Sequence, residues 1–171
     1  MFRISRYLHA LNRPAASVRR PVNPTGPVVI WNLVRRCNLT CRHCYATSAD
    51  KDFPGELTTS DVFDVMDDLK DFGVPVLILS GGEPLLRPDI FEISQRAKSM
   101  GFYVGLSSNG TLINETTIAD IAAVGYDYVG ISIDGMRDTH DRFRRKQGAF
   151  DESIRGIRYC RDAGLKVGLR F

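Results

Sequence analysis

Apolar positions recur along this chain in two alternating rhythms. Short continuous apolar runs at Val28 to Val34, Val76 to Ser80, Tyr103 to Ser107, Tyr128 to Ser132 and Lys166 to Phe171 read as strands, the first as a buried one. Between them the apolar residues fall at helical spacing, over about Thr59 to Phe72, from Pro88 and Asp89 to Gly101, near Thr116 to Val124, and over about Phe150 to Ala163. Gly73, Gly101, Gly125 and Gly164 stand where these helices should stop, because glycine accepts the left-handed conformation of a helix end. Thr58 with Asp61 three residues on resembles a capping box, with Asp where Glu is preferred. The stretch between the fourth strand and the last helix is polar and reads as a loop.

Regular strand–helix alternation implies parallel strands joined by right-handed crossovers, an α/β fold. An open doubly wound sheet and a barrel both satisfy it. The chain's 171 residues fall short of the roughly 250 typical of a closed eight-unit barrel. A parallel strand is normally covered on both faces. The last apolar run stops at Phe171 with no helix after it, so further strand–helix units are expected in a longer protein. No apolar run reaches about 18 residues, and no membrane span is predicted.

Ahead of the first strand, Phe2, Ile4, Tyr7, Leu8 and Leu11 are spaced as on a short amphipathic helix. Pro14, Pro21, Pro24, Gly26 and Pro27 then make an irregular linker, so residues 1–27 read as an arm and 28–171 as the compact domain. The formal net charge of +3 is laid out unevenly: eight arginines and no lysine, aspartate or glutamate precede Asp50. Such an end suits acidic substrates, nucleic acid or a membrane surface, and equally a solvated arm. No apolar segment with a small-residue cleavage site follows Met1, and the four cysteines do not look like a disulfide framework, so a reducing cytoplasm is expected.

The chemistry concentrates just after the first strand. Cys37, Cys41 and Cys44 follow one another as C-x3-C-x2-C. Thiolates close in sequence let one loop wrap an iron–sulfur cluster. Three of them leave one iron of a four-iron cubane open to an outside ligand. Two other readings remain at this point. A zinc ion would require a fourth ligand, which His43 offers by composition but not easily by geometry beside Cys44. Cys41-Arg-His-Cys44 is also a C-x-x-C pair of the thioredoxin-like redox type.

Three more strands end in polar residues: Ser80-Gly81-Gly82-Glu83-Pro84, Ser107-Ser108-Asn109-Gly110 and Ser132-Ile133-Asp134-Gly135. Paired glycines let a ligand approach the backbone, and Glu83 offers a carboxylate to a cation. Each turn alone is ordinary. Their succession points to a ligand, because parallel α/β folds bind at the carboxyl ends of their strands.

Taken together, these residues resemble the radical S-adenosylmethionine (radical SAM) enzyme family, whose signature C-x3-C-x-Φ-C matches Cys37, Cys41 and Cys44 with His43 at the Φ place, where an aromatic is more usual. The resemblance implies a partial (β/α)6 TIM-like barrel cut at its fifth strand, and a 4Fe-4S cluster whose open iron is chelated by S-adenosylmethionine. It further implies that Gly81, Gly82, Glu83 and Pro84 hold the methionine amino group and that His43 lies along the adenine. Ser132 and Arg144, the latter in His140-Asp141-Arg142-Phe143-Arg144, match residues that contact S-adenosylmethionine in members with an added cluster domain, while Ser108 and Asn109 match the polar motif after the third strand. Without the resemblance, Arg144 reads as one solvated loop charge among Arg142, Arg145 and Lys146.

Gly26 to Asp50 and Val76 to Pro88 look most like the branch of the family that makes haem d1 and related tetrapyrroles. That likeness implies processing of the propionate side chains of a didecarboxysirohaem intermediate, with alternative haem b synthesis and peptide modification as the neighbouring activities. Implied partners are a carboxylate-bearing tetrapyrrole and an electron donor such as a ferredoxin or flavodoxin, with neither nucleic acid nor membrane. No catalytic acid or base is assigned. A zinc-binding module without catalysis is the reading from another class. Cys160 in the last helix and Trp31 in the first strand read as packing residues and His9 as a surface one, while His140 is a candidate for orienting the Arg144 segment.

Overall fold

The computed structural model describes residues 26–171. The arm helix expected over Met1 to Asn12, most of the proline linker and His9 lie outside the described residues. Within them, β1 (Val28–Val34), β2 (Val76–Gly81), β3 (Tyr103–Ser108), β4 (Tyr128–Ser132) and β5 (Val167–Arg170) form one sheet in the order β1-β2-β3-β4-β5. Every neighbouring pair is parallel. The helices are α1 (Thr59–Asp71), α2 (Ile90–Ser99), α3 (Thr117–Val124), α4 (Arg137–Arg144) and α5 (Ala149–Asp162), with a 3-10 turn at Pro84–Leu86.

Strand order equal to chain order separates the two architectures that the sequence leaves open. Right-handed crossovers that always step to the next strand place every helix on the same side, which is the winding of a barrel wall. A doubly wound sheet reverses direction part-way. Burial agrees with the barrel. Leu77 and Leu79, Val104 and Leu106, and Val129 and Ile131 alternate onto the helix side and are fully buried. Val62 and Met66 of α1, Ile90, Ile93 and Ala97 of α2, and Ile121 of α3 meet them there.

The opposite, concave face is lined by the intervening residues, and β1 shows it best. Val28 and Ile30, read from their apolar run as part of a buried strand, are each 54% exposed. Their inward-facing neighbours on β2, Val76 and Ile78, are half-buried. An unbroken apolar run does not reveal which of its two faces is covered. Trp31 takes the other face and packs partly against the core.

Local signals act as the sequence predicts. The Thr58 hydroxyl accepts from Asp61 N–H at 3.2 Å, while Thr58 N–H donates to the Asp61 carboxylate at 2.9 Å, a reciprocal capping box that opens α1. Gly125 closes α3 in the left-handed region. Cys160 is buried in α5, and burial pushes its thiol up to about 11. The segment from Arg137 to Arg144, expected as a loop, is a helix.

Candidate functional site

All the chemistry-bearing turns sit at one rim. A cavity of about 310 Å³ opens there, and Cys37, Cys41, His43, Cys44, Gly81, Gly82, Ser108, Asn109, Ser132 and Arg144 all line it. These residues come from the ends of β1, β2, β3 and β4 and from α4, so the barrel winding alone brings them together.

The β1–β2 register slips between Asn32 and Val34, which lets the glycine turn lace onto the start of the cysteine loop. Gly82 N–H donates to Val34 C=O at 2.7 Å and Glu83 N–H to Arg36 C=O at 2.9 Å. A side chain at Gly81 would strike the Val34 carbonyl, and one at Gly82 the Arg36 carbonyl. Both glycines are therefore required by the close approach of the two backbones. Farther along, Cys37 N–H donates to Ala49 C=O at 3.1 Å, and Arg42 N–H to Phe143 C=O at 2.8 Å, tying the loop to the end of α4.

Each cysteine sulfur has donors directed at it. Leu39 N–H lies 3.4 Å from Cys37 Sγ and the Asn109 amide 3.9 Å. Burial nevertheless dominates at Cys37 and, aided by the nearby Glu83 and Cys41, pushes the thiol up to about 11. Arg144 Nη1 lies 3.7 Å from Cys41 Sγ. At Cys44, burial favours the neutral thiol, but the hydrogen bonds from Ala46, Thr47 and Ser48 together outweigh it and hold the thiol below its ordinary range. Thr47 makes this possible by taking a positive φ of 48°. Among the described residues no three His, Cys, Asp or Glu side chains gather closely enough to hold a metal ion between them. The three sulfurs line the cavity and do not meet at one point.

Glu83 is placed differently from the expectation of an open carboxylate. It is fully buried and does not line the cavity, and neither does Pro84, which is buried in the 3-10 turn. Its oxygens accept from Ser108 Oγ at 2.9 Å, Asn109 N–H at 2.8 Å and Leu85 N–H at 3.2 Å. Glu83 therefore clamps the end of β3 to the glycine turn. Burial raises its carboxyl to about 7 despite these donors and the positive charge of Arg144. Asn109 extends the clamp to the cysteine loop through its amide, 2.9 Å from Asn38 Oδ1.

Arg144, which on sequence grounds reads equally as a solvated charge, is 8% exposed. Its Nε lies 2.6 Å from Asp134 Oδ2 and its Nη2 3.1 Å from Asp134 Oδ1. The planar fork thus meets its own carboxylate first, and the third nitrogen is left for Cys41. Asp134 also stands 3.6 Å from His43 Nε2, and its N–H donates to His140 Nδ1 at 3.1 Å. His140 is buried, and burial with the charge of Arg144 keeps its imidazole below the ordinary range. Sequence reasoning noted Asp134 only as a polar turn residue. Its pairing with Arg144 across ten positions has no periodic signature.

This geometry accords with the known proteins that the chain matches. The family model described as "Radical SAM superfamily" matches residues 31–171. The chain belongs to the radical SAM superfamily. It is 50% identical over all 171 residues to pre-heme d1 synthase of Dinoroseobacter shibae, covering 42% of that protein. It is 48% identical over 145 residues, or 85% of the chain, to Fe-coproporphyrin III synthase of Methanosarcina barkeri, covering 36% of it. The chain therefore spans about two fifths of the length of these curated relatives. Among solved structures, Streptococcus suis SuiB bound to S-adenosylmethionine superposes with a TM-score of 0.70 at 20% identity, over 82% of this chain and 32% of that one. This last likeness bears on the fold, which is the radical SAM barrel wall.

Proposed function

We propose that residues 28–171 are the radical SAM core of an enzyme of haem d1 synthesis, acting on the propionate side chains of a didecarboxysirohaem intermediate. In this reading Cys37, Cys41 and Cys44 hold a 4Fe-4S cluster, S-adenosylmethionine lies in the adjoining cavity, and a ferredoxin or flavodoxin supplies electrons. The observation that carries it is the set of donors already directed at the three sulfurs. N–H groups and a guanidinium around a thiolate stabilise its charge, as outer partners do around metal ligands. Thiolates close in sequence are the usual holders of an iron–sulfur cluster, and Cys37, Cys41 and Cys44 all line the one cavity.

The remaining residues then have definite tasks. Gly81 and Gly82 present peptide edges to the methionine end of the ligand. Glu83 and Pro84 brace that turn from behind. Asn109 and Arg144 hold Cys37 and Cys41 in place, and Ser108 locks Glu83. His43 and Ser132 line the cavity for the nucleoside. When bound, the cluster and S-adenosylmethionine supply an electron, a cleavable sulfonium and the carbon radical that takes a substrate hydrogen. The chain's own contribution is placement, where an error of about 1 Å costs roughly a hundredfold in rate. Identity to pre-heme d1 synthase and to Fe-coproporphyrin III synthase is nearly equal, at 50% and 48%, and what supports the haem d1 assignment is that the first match runs over all 171 residues and the second over 145.

The test is anaerobic reconstitution of the full-length protein with iron and sulfide, followed by reduction with S-adenosylmethionine and didecarboxysirohaem. Expected are 5′-deoxyadenosine, a tetrapyrrole altered in mass at its propionates, and loss of both in Cys44→Ala. Well-loaded protein that leaves S-adenosylmethionine intact overturns the reading. Turnover only with an iron coproporphyrin or a peptide would move the enzyme to another branch.

A further inference from the structure

The concave face of the sheet carries a cation that the cysteine site does not use. Arg170 on β5 pairs in register with Ser132 on β4, so both project to that face, and both line the cavity. The Arg170 side chain does not stand away from the sheet but crosses it. Its Cδ lies 2.8 Å from where a Cβ on Gly130 of β4 would be, and its Nη1 donates to Ser107 Oγ at the end of β3. Gly130 and Gly168, paired in register, leave the space. The Tyr128 ring packs onto the same two glycines, with Cε1 at 2.9 Å from the position of a Gly130 Cβ. A half-buried arginine is thus held flat beside an aromatic floor.

Its charge balance differs from that of the other arginine in the cavity. Arg144 is matched by Asp134. Asp134 is the one acidic side chain lining the cavity among the described residues, and it is occupied by Arg144 and His43. Arg170 is bound to a neutral hydroxyl, and no carboxylate within 4 Å pairs with it among the described residues. A partly desolvated guanidinium with a neutral partner and a planar donor edge is a receptor for a carboxylate. Two kinds of carboxylate would be present in the proposed reaction, that of methionine and those of the substrate. The cysteine loop and glycine turn belong to β1 and β2, at the far edge of the sheet from β5.

We propose that Arg170 receives a carboxylate side chain of the substrate and, with Ser107 holding its fork and Gly130 giving it room, sets which carboxylated substrates dock. This rests on the function proposed above, and the test is arranged to separate the two. Equilibrium titration of the full-length protein, without reduction, compares didecarboxysirohaem with its fully methyl-esterified form, alongside Arg170→Gln, Arg170→Lys and Gly130→Val. Expected is tighter binding of the acid by the parent protein, by roughly 10-fold or more, the usual scale of a hydrogen bond to a charged group. Arg170→Gln and Gly130→Val should bring the acid down to the ester, with the ester unchanged, and Arg170→Lys should recover part of the difference.

Equal affinity of the parent protein for acid and ester overturns the proposal, even where S-adenosylmethionine is cleaved normally. A loss of S-adenosylmethionine affinity in Arg170→Gln, with the acid bound as before, assigns the cation to methionine and likewise overturns it. Absence of 5′-deoxyadenosine in loaded protein overturns the proposed function instead, because the acid–ester comparison needs neither cluster nor reductant.

Discussion

Burial raises the Glu83 carboxyl from 4.5 to about 7, so the folded protein holds that proton where the unfolded chain releases it. Between about pH 4.5 and pH 7 the native state therefore binds more protons than the unfolded one. Its contribution to stability is full below that window, declines as the pH rises through it by at most about 1.4 kcal/mol per unit, and is flat above. Denaturant titrations of the parent protein and Glu83→Gln at pH 5 and pH 7.5 should show a larger fall in the parent. A parent whose stability gains on Glu83→Gln over that interval would contradict the burial argument. The residue scale is also where the sequence was least legible. Glu83 and Arg144 are recognisable as charged groups near a ligand, but their pairing with Ser108, Asn109 N–H and Asp134 is decided by contacts between distant turns. No rule of spacing contains those contacts.

Elements were legible in proportion to how apolar their buried faces are. β1 and β4 occupy the spans that their apolar runs mark, Val28–Val34 and Tyr128–Ser132. α4 was invisible for the same reason. Its buried residues are His140 and Arg144, four apart on one face, so the helix is amphipathic yet buries a histidine and an arginine in place of apolar side chains. It is pinned by Asp134 and Phe150 and not by a greasy stripe: His140 Nδ1 accepts from Asp134 N–H, and its ring meets Phe150 edge-on at 5.9 Å. α1 is the opposite case, announced by its cap. Thr58→Ala removes the hydroxyl that accepts from Asp61 N–H and should cost about 1 kcal/mol, read as a lower denaturation midpoint with unchanged cooperativity. Thr58→Ser should retain most of it.

For the whole molecule, strand order equal to chain order makes stability graded across the sheet. Among the described residues β2, β3 and β4 each have two strand neighbours, while β1 has one. Amide hydrogen exchange should be slowest at Leu77, Leu79, Val104, Leu106 and Val129 and faster along β1. Uniform protection across all five strands would show that opening is global. The α/β class and the parallel sheet follow from alternation alone. The choice of barrel over doubly wound sheet does not, because both share the same local pattern and differ only in the direction of successive crossovers.

The same winding has a consequence for the newborn protein. The thiol of Cys37 ends up sealed by the turn that follows β3, yet translation delivers the cysteine loop first and that turn much later. Until Asn109 arrives, the Cys37 sulfhydryl is as open to oxidation and to stray metals as its two neighbours. Oxygen exposure during synthesis should therefore reach the Cys37 thiol more readily than it does in the folded chain, where Cys37 is buried.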